Sequence, residues 1–352
     1  MANTVSFKGR AIGPGEPPYV VAEMSGNHNG DIGRALDLLA AAAAAGADAV
    51  KLQTYTADTI TLDFDGPGFT ISGGLWHGRR LYDLYDEAYT PWGWHEALFA
   101  KGEELGVHVF SSPFDPTAVE MLERLDVPAY KIASFEMIDH PLIELCARTG
   151  KPLVISTGIA NKAEISEAVA AARKAGCEQL IVLHCVSGYP TEPSDANIVT
   201  LQDLAREFDI VPGLSDHTHG TAVSVAAVAL GACFIEKHFT LRRADGGPDA
   251  SFSLEPDELK ELVRGCRTAW EALGRVNYDT KGSEADNAMF RRSLYVVADV
   301  AAGAELTPAN VRSIRPGLGM APKRLPDVLG RRAARALKRG EPLQWNMIEG
   351  GE

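Results

Sequence analysis

The sequence predicts an α/β protein, a (β/α)8 TIM barrel followed by a small α+β domain. Eight strand-like apolar runs follow one another along the chain, and each precedes a segment with helical apolar spacing. Each run ends in polar side chains, which is typical of the catalytic end of a parallel barrel. After about residue 280 the alternation stops, and the rest contains only short strand-like runs, turns and one short basic helix.

The barrel elements can be assigned in chain order. The eight predicted strands are YVVAEMSG, ADAVKLQT, HVFSSP, AYKIAS, PLVIST, LIVLHCV, IVPGLSDH and CFIEKHFT. Alanine content and apolar spacing predict helices in RALDLLAAAAAAGA, PTAVEMLERL, AEISEAVAAARKAG and TAVSVAAVALGA, with Gly46, Gly176 and Gly231 placed to end three of them. The longest interruption, residues 55–91, lies between the second and third strands, where we expect a lid or a binding loop.

The change of pattern predicts a barrel domain over residues 1–280, a linker over 281–289 and a small domain over 290–352. Residues 290–352 contain 11 Lys and Arg against 6 Asp and Glu, a net charge of +5. The remaining 23 basic and 41 acidic residues give −18, which accounts for the total of −13. Domains with net charges of opposite sign attract each other.

Composition argues against two classes of partner. The negative net charge disfavours nucleic acid, because phosphate backbones attract basic surfaces. No apolar stretch is long enough to cross a membrane, and the first residues lack the apolar segment of a secretory signal. The five cysteines are scattered without a CxxC pair. We therefore expect a cytoplasmic protein with neither a nucleic-acid nor a membrane partner.

Two histidines at the ends of neighbouring predicted strands indicate a metal site. His217 ends the run GLSDH and His238 ends FIEKH, so both are expected at the same end of the barrel. Asp216 and Glu236 stand beside them as expected hydrogen-bond partners for the imidazoles. His219 is an alternative to His217.

The other strand ends predict a cradle for a compact polyanion, since hydroxyls donate hydrogen bonds and lysines supply charge. The polar residues at these ends are Glu23, Lys51, Gln53, Ser111, Ser112, Lys131, Ser134, Ser156, Thr157, Ser187 and Tyr189. Each has a structural alternative, because a lysine can serve an ion pair and a serine can cap the next helix. His184 is equally well explained as a core histidine, and His28 as a residue that holds the GNHNG turn.

A series of motifs runs along nearly the whole chain: AEMSGNHNG, KLQT, SSPFD, YKIASFE, ISTG, GLSDHT, IEKHFT and GGPDASFSLEP, followed by RRSLYVV and IRPGLGMAP in the tail. In this order they resemble the motifs of the sialic acid synthases, which condense phosphoenolpyruvate with an N-acylamino sugar. The tail resembles the antifreeze-like (SAF) domain of these enzymes. YKIASFE, GGPDASFSLEP and RRSLYVV are closer to the pseudaminic acid synthases than to the N-acetylneuraminate branch.

The resemblance implies a role for each matching residue. The implied phosphoenolpyruvate contacts are Lys51, Ser112, Lys131, Ser134, Ser156 and Ser215. The implied metal ligands are His217 and His238, and the implied sugar contacts are Glu23, Gln53, Tyr189 and Asp249, with Glu23 and Asp249 as the catalytic acids. Ser187 departs from an asparagine common in the neuraminate branch. The resemblance also implies a domain-swapped homodimer in which Arg315 reaches the N-acyl group of the sugar.

The expected activity is therefore that of a pseudaminic acid synthase, which joins phosphoenolpyruvate to 2,4-diacetamido-2,4,6-trideoxy-altrose and releases phosphate. Two protein imidazoles leave the metal shell to water and substrate, which suits Mn²⁺, Mg²⁺ or Co²⁺ better than structural zinc. Phe135 and Phe252 are expected to add apolar surface for the methyl group of the sugar. The alternatives are a synthase for N-acetylneuraminate or legionaminate, a pyruvate aldolase, and a non-catalytic carbohydrate-binding protein.

Overall fold

The computed structural model describes residues 4–351, which form two compact units. One unit ends at Gly274, and the other begins at Arg275. In the part of the chain that the structure describes, no helix is long and apolar enough to cross a membrane.

The first unit contains a closed barrel of eight parallel strands, which confirms the predicted fold class. Its strands are β1 Val5–Phe7 and β2 Arg10–Ile12 in a hairpin, then the barrel strands β3 Tyr19–Glu23, β4 Ala49–Thr54, β5 His108–Pro113, β6 Tyr130–Ile132, β7 Leu153–Ser156, β8 Leu180–Cys185, β9 Val211–Asp216 and β10 Phe234–His238. The barrel strands pair in chain order, and β10 closes the ring against β3. All eight lie within the predicted runs.

Helices surround the barrel. They are α1 Ile32–Ala45, α2 Ala57–Ile60, α3 Leu81–Ala88, α4 His95–Leu105, α5 Pro116–Arg124, α6 His140–Arg148, α7 Lys162–Lys174, α8 Thr200–Phe208, α9 Ala222–Ala229 and α10 Pro256–Leu273. The four predicted helical segments correspond to α1, α5, α7 and α9, whereas α2 and α3 lie within residues 55–91, where only a long loop was predicted. Local signals fix their ends: the Asp31 side chain accepts the backbone N–H of Arg34 at the start of α1, and Gly46 ends that helix with φ of 90°.

The β1–β2 hairpin, which the sequence analysis did not predict, closes the amino-terminal end of the barrel. Its Phe7 side chain is fully buried and packs edge-on against Tyr19, Phe110 and Phe234, with ring centroids 5.4, 5.8 and 6.2 Å away. Because apolar rings fill this end, the polar strand ends lie at the opposite, carboxyl-terminal end.

The second unit is a small α+β domain. Strand β11 Ser293–Val296 pairs antiparallel with β12 Val311–Ile314, and the short helix α11 Leu325–Val328 follows a helical turn that carries Lys323 and Arg324. Its own core includes the buried residues Leu294, Val296, Val300, Leu306, Val311, Val328, Leu337 and Leu343. Before β11, a 3-10 helix spans Gly282–Phe290.

Candidate active site

The carboxyl-terminal ends of the strands bring most of the predicted site residues together. Lys51 Nζ lies 2.8 Å from Glu23 Oε2 and donates to Ser112 Oγ at 3.3 Å, so strands β3, β4 and β5 converge on one ammonium group. Gln53, two residues further along β4, donates its Nε2–H to Glu23 Oε1 at 2.9 Å. This convergence follows from the shared direction of the strands.

A buried network of two lysines and two glutamates occupies the centre of this end. Lys131 Nζ lies 3.1 Å from Glu236 Oε1, and Lys51 Nζ lies 3.7 Å from the same oxygen, which also accepts from Ser215 Oγ at 3.3 Å. The four charged side chains are at most 6 % exposed. When all four groups are ionised, two positive charges balance two negative charges, so the network is neutral.

Burial shifts the pKa values of this network in opposite directions. Burial raises the pKa of Glu23 to about 7, even though Lys51 stabilises the carboxylate. Burial would also raise the pKa of Glu236, but Lys131 and Lys51 outweigh it and hold that pKa below its usual value. Glu236 is therefore the carboxylate that keeps its charge, whereas Glu23 can exchange a proton near neutral pH.

The prediction that Asp216 and Glu236 accept hydrogen bonds from the imidazoles is wrong. Asp216 accepts from Lys237 Nζ at 2.8 Å and from Ser224 Oγ at 2.6 Å, while Glu236 is engaged by the lysines. Adjacent residues of a strand point to opposite faces, so Asp216 points away from the face that carries His217. The carboxylate of Glu236 shares a face with His238, but the two ammonium groups compete for it more strongly.

The two histidines predicted as metal ligands lie side by side. The ring centroids of His217 and His238 are 5.3 Å apart, and both side chains are buried. The His217 Nδ1–H donates to the Val186 carbonyl at 2.9 Å, so Nε2 is the ring nitrogen that a metal could bind. His238 Nδ1 has no hydrogen-bond partner. Burial, and to a smaller extent the neighbouring His217, hold the pKa of His238 well below its usual range. Burial would also lower the pKa of His217, but the neighbouring Cys185 outweighs burial and holds that pKa above its usual value. The two imidazoles lie close enough to hold one divalent cation, which would have to displace a proton from His217.

The donor set near this pair is small. Among residues 4–351, no group of three or more His, Cys, Asp or Glu side chains is arranged to hold a metal ion. Cys185, which the sequence analysis did not select, places its sulfur 3.9 Å from His217 Nδ1 and 3.4 Å from Ser134 Oγ. A metal held here would take its remaining ligands from water or substrate.

Hydroxyl groups line the β6 to β8 side of the site. Ser134 Oγ accepts the backbone N–H of Gly158 at 3.2 Å, and Ser156 Oγ is buried without a hydrogen-bond partner. A Cβ atom at Gly158 would lie only 2.0 Å from Ser187 Oγ and 2.6 Å from Ser134 Oγ. A side chain at Gly158 would therefore displace these serines, and the unused Ser156 donor is available to an anion.

A second hydrogen-bonded chain links the predicted sugar-side residues. Gln53 Nε2 also donates to Ser25 Oγ at 3.2 Å, and Ser25 in turn donates to Asp249 Oδ2. Ser25 adopts a left-handed backbone with φ of 47°, which is uncommon outside glycine. Burial raises the pKa of Asp249. Ser25 connects the predicted acids Glu23 and Asp249; it lies in the motif AEMSGNHNG, but the sequence analysis did not select it.

Glu136 is another carboxyl group that the sequence analysis did not select. It follows Ser134 by two residues in YKIASFE, its Oε2 atom is buried without a partner, and burial raises its pKa to about 7. The only sequence signal was its place in a motif chosen for other residues. It adds a second carboxyl group that can be neutral near pH 7.

Aromatic rings surround the histidine pair. The Tyr189 ring centroid lies 4.5 Å from that of His217, and the Phe252 centroid lies 4.9 Å from that of His238. Phe135, predicted to add apolar surface beside Phe252, is 55 % exposed. Arg315 belongs to the second unit, where it is exposed directly after β12.

The other histidines have structural explanations. His184 Nε2–H donates to the Ala196 carbonyl at 2.6 Å, and His28 Nδ1 accepts the backbone N–H of Gly30 at 3.1 Å within its turn. His219, the alternative to His217, is exposed. The buried imidazoles that face each other are therefore His217 and His238.

Comparison with known proteins places these features in a family. The NeuB family profile matches residues 38–278, and the SAF domain profile matches residues 291–349. The chain is 42% identical to the pseudaminic acid synthase of Helicobacter pylori, covering 95% of this chain and 98% of that protein. It is 34% identical to the N,N'-diacetyllegionaminic acid synthase of Legionella pneumophila, covering 94% of each.

A solved structure shares the fold. The N-acetylneuraminic acid synthetase of Leptospira borgpetersenii, crystallised with citrate, aligns with a TM-score of 0.73 and 31% identity, covering 82% of this chain and 95% of that protein.

Proposed function

Because this chain belongs to the NeuB family, we propose that it condenses phosphoenolpyruvate with 2,4-diacetamido-2,4,6-trideoxy-altrose to give pseudaminic acid and phosphate. The observation that carries the proposal is the identity over nearly the whole chain, which is 42% with a pseudaminic acid synthase and 34% with a legionaminic acid synthase. The buried lysines and the hydrogen-bonded acids at one barrel end supply the chemical groups that this reaction needs.

Phosphoenolpyruvate is assigned to the lysine side of the site. Its carboxylate and phosphate need cationic and hydroxyl donors, which Lys51, Lys131 and the partnerless hydroxyl of Ser156 provide. Ser112, Ser134 and Ser215 extend this set. Buried donors fixed on strand ends bind an anion without reorganising.

The reaction forms one carbon–carbon bond and breaks one bond to phosphate. C3 of phosphoenolpyruvate attacks the aldehyde carbon of the open-chain sugar, a proton reaches the aldehyde oxygen, and water adds at C2 before phosphate leaves. Glu23 is the group for this proton, since burial raises its pKa to about 7 and the carboxyl can therefore be protonated at neutral pH. Gln53 and Asp249 orient the sugar through the chain that includes Ser25.

A divalent cation, Mn²⁺, Mg²⁺ or Co²⁺, is assigned to His217 and His238. Support comes from the Nε2 of His217, the ring nitrogen that a metal could bind, and the buried, partnerless Nδ1 of His238. When bound, the ion would act as a Lewis acid on the aldehyde oxygen. The aromatic rings of Tyr189 and Phe252 pack against the two imidazoles and fix the shape of this part of the site.

A homodimer with swapped small domains is part of the proposal. Large apolar side chains near the start of the second unit are exposed: Val276 is 88 % and Tyr278 98 % exposed, and Met289 and Phe290 are more than half exposed. We infer that another chain covers these side chains. The partner subunit's Arg315 would then complete the sugar site, helped by the charge difference between the acidic barrel and the basic tail.

The direct test is a phosphate-release assay with phosphoenolpyruvate and a panel of sugars. We expect turnover with the 6-deoxy diacetamido sugar and weaker turnover with N-acetylmannosamine, since an apolar pocket rejects an added hydroxyl by about a hundred-fold at most. Preference for N-acetylmannosamine or for the legionaminate precursor would reassign the substrate within the family. Product formation from pyruvate without phosphate release would identify an aldolase, and sugar binding without turnover a non-catalytic carbohydrate-binding protein.

A further inference from the structure

The connection between β4 and β5 contains an ordered hairpin that sequence patterns indicated only as a long loop. Ile71 N–H donates to the Arg79 carbonyl and Gly78 N–H to the Ile71 carbonyl, both at 2.9 Å. Arg80 holds the base through ion pairs with Asp63 at 2.5 Å and Asp65 at 2.7 Å. The segment of residues 69–81, here called the lid hairpin, therefore has a defined shape.

Trp76 in the turn of the lid hairpin contacts two separate segments of the site. Its indole Nε1–H donates to the Pro248 carbonyl at 2.9 Å, directly before Asp249. Its ring centroid lies 5.3 Å from that of Tyr189, which itself packs against Phe252 at 5.4 Å. One side chain thus joins the loop after β8 to the segment that carries the buried acid.

These contacts produce an apolar wall beside the polar sugar-side residues. Trp76, Tyr189 and Phe252 pack in sequence, and the last two also contact the histidine pair. Tryptophan offers the largest apolar face of any side chain, together with one hydrogen-bond donor. Here the donor is used by Pro248, so the ring face offers no polar group to a ligand.

We propose that Trp76 is a specificity-determining residue that selects the 6-deoxy sugar over a sugar with a hydroxymethyl group. This inference rests on the proposed condensation and goes beyond it, because it assigns the discrimination to one residue of an insertion. The ring lies against the methyl end of the sugar, where a hydroxyl would lose hydrogen bonds to water without a replacement. The Pro248 bond positions the ring but does not itself discriminate.

The alternative is that Trp76 only pins the lid hairpin in place, and two substitutions separate the roles. Trp76→Gln keeps a side-chain N–H that can reach the Pro248 carbonyl but removes the apolar face. Trp76→Phe keeps an apolar ring against Tyr189 but removes the donor. Leu75→Ala is the matched control, since Leu75 is the neighbouring hairpin residue and is 45 % exposed.

The measurement is the ratio of kcat/KM for the 6-deoxy diacetamido sugar to that for its 6-hydroxy counterpart, with the KM for phosphoenolpyruvate measured alongside. We expect Trp76→Gln to lower the ratio about ten-fold, within the range that one methyl-sized contact supplies, and to leave the phosphoenolpyruvate KM within about two-fold. Trp76→Phe and Leu75→Ala should keep the ratio of the unmodified protein. Thermal unfolding of each variant reports its folding.

Each other result has a distinct meaning. If Trp76→Phe lowers the kcat/KM ratio between the two sugars while Trp76→Gln leaves it unchanged, the hydrogen bond is the important contact and the proposal is wrong. The proposal would also be wrong if Trp76→Gln lowered kcat/KM equally for both sugars, or if it raised the KM for phosphoenolpyruvate by as much as it lowered the ratio. If the unmodified protein releases no phosphate with any sugar, the condensation itself fails, which is distinguishable because that result involves no variant.

Discussion

Binding of phosphoenolpyruvate is expected to take up a proton at Glu23. In the free site the lysine charges are already balanced, because Lys51 Nζ lies 2.8 Å from Glu23 Oε2 and Lys131 Nζ lies 3.1 Å from Glu236 Oε1. A polyanion placed on the two lysines adds negative charge beside both carboxylates. Glu23 is the one that can accept a proton, because burial has already raised its pKa to about 7.

Proton uptake by Glu23 makes the Kd for phosphoenolpyruvate depend on pH. Below about pH 7 Glu23 is already protonated, so the Kd for phosphoenolpyruvate is independent of this group. Above that pH one proton must bind with the ligand, so the Kd rises about ten-fold per pH unit, equivalent to about 1.4 kcal/mol. Between pH 7, where half of Glu23 is ionised, and pH 9 the Kd should therefore rise about fifty-fold. Glu23→Gln keeps an acceptor for Gln53 but removes the charge, so its Kd should lack this slope.

Calorimetry at pH 8 in two buffers with different heats of ionisation counts the protons. Titrating metal-free protein with phosphoenolpyruvate, we expect nearly one more proton to be taken up by the unmodified protein than by Glu23→Gln. The ligand's own phosphate and Glu136 titrate in both proteins and cancel in the difference. Glu103→Gln, which removes an exposed partner of Lys8, is the control and should match the unmodified protein. Equal proton counts for the unmodified protein and Glu23→Gln would refute the reasoning.

Three further predictions concern the metal site, the ion pair behind it and the dimer. His238→Ala should weaken Mn²⁺ binding at least ten-fold by calorimetry without moving the unfolding midpoint, and unchanged affinity would remove His238 from the ligand set. Lys237→Met leaves the Asp216 carboxylate, which is 1 % exposed, without its ion-pair partner, and should lower the free energy of unfolding in urea by about 3–5 kcal/mol. Adding Asp216→Asn to this variant should recover part of the lost free energy. An unchanged urea midpoint for Lys237→Met would contradict the pairing. Mixed dimers of Arg315→Ala and His217→Ala chains should regain part of the activity, and no recovery would mean that Arg315 does not act across the dimer.

The barrel and the positions of its site residues were predictable because few physical rules decide them. An apolar run followed by a helical pattern, repeated eight times, gives a parallel barrel, and the shared strand direction then brings Lys51, Lys131, His217 and His238 to one end. No long-range information is needed beyond the direction of each strand.

The partners of these residues were harder to predict. Sequence adjacency suggested Glu236 as a partner for His238, but its carboxylate lies beside ammonium groups contributed by β4 and β6. Ser25 and Trp76 enter the site only because a left-handed turn and an inserted hairpin bring them there. Such contacts depend on loop geometry, which apolar periodicity does not encode.

Strand register divides the site into two levels. Lys51 and Glu236 each precede a second site residue, Gln53 and His238, by two positions on the same strand face. At about 3.3 Å per residue along strands tilted by about 36° to the barrel axis, the level of Lys51 and Glu236 lies roughly 5 Å deeper in the barrel than the level of Gln53 and His238.

We propose that phosphoenolpyruvate binds on the deeper level and the sugar on the outer one, which the lid hairpin reaches through Trp76 and Tyr189. On this proposal phosphoenolpyruvate enters first, because a bound sugar would block its path to the lysines. The bound sugar would also exclude bulk water while the carbon–carbon bond forms, which would protect the charge that develops at C2 until the attacking water is admitted.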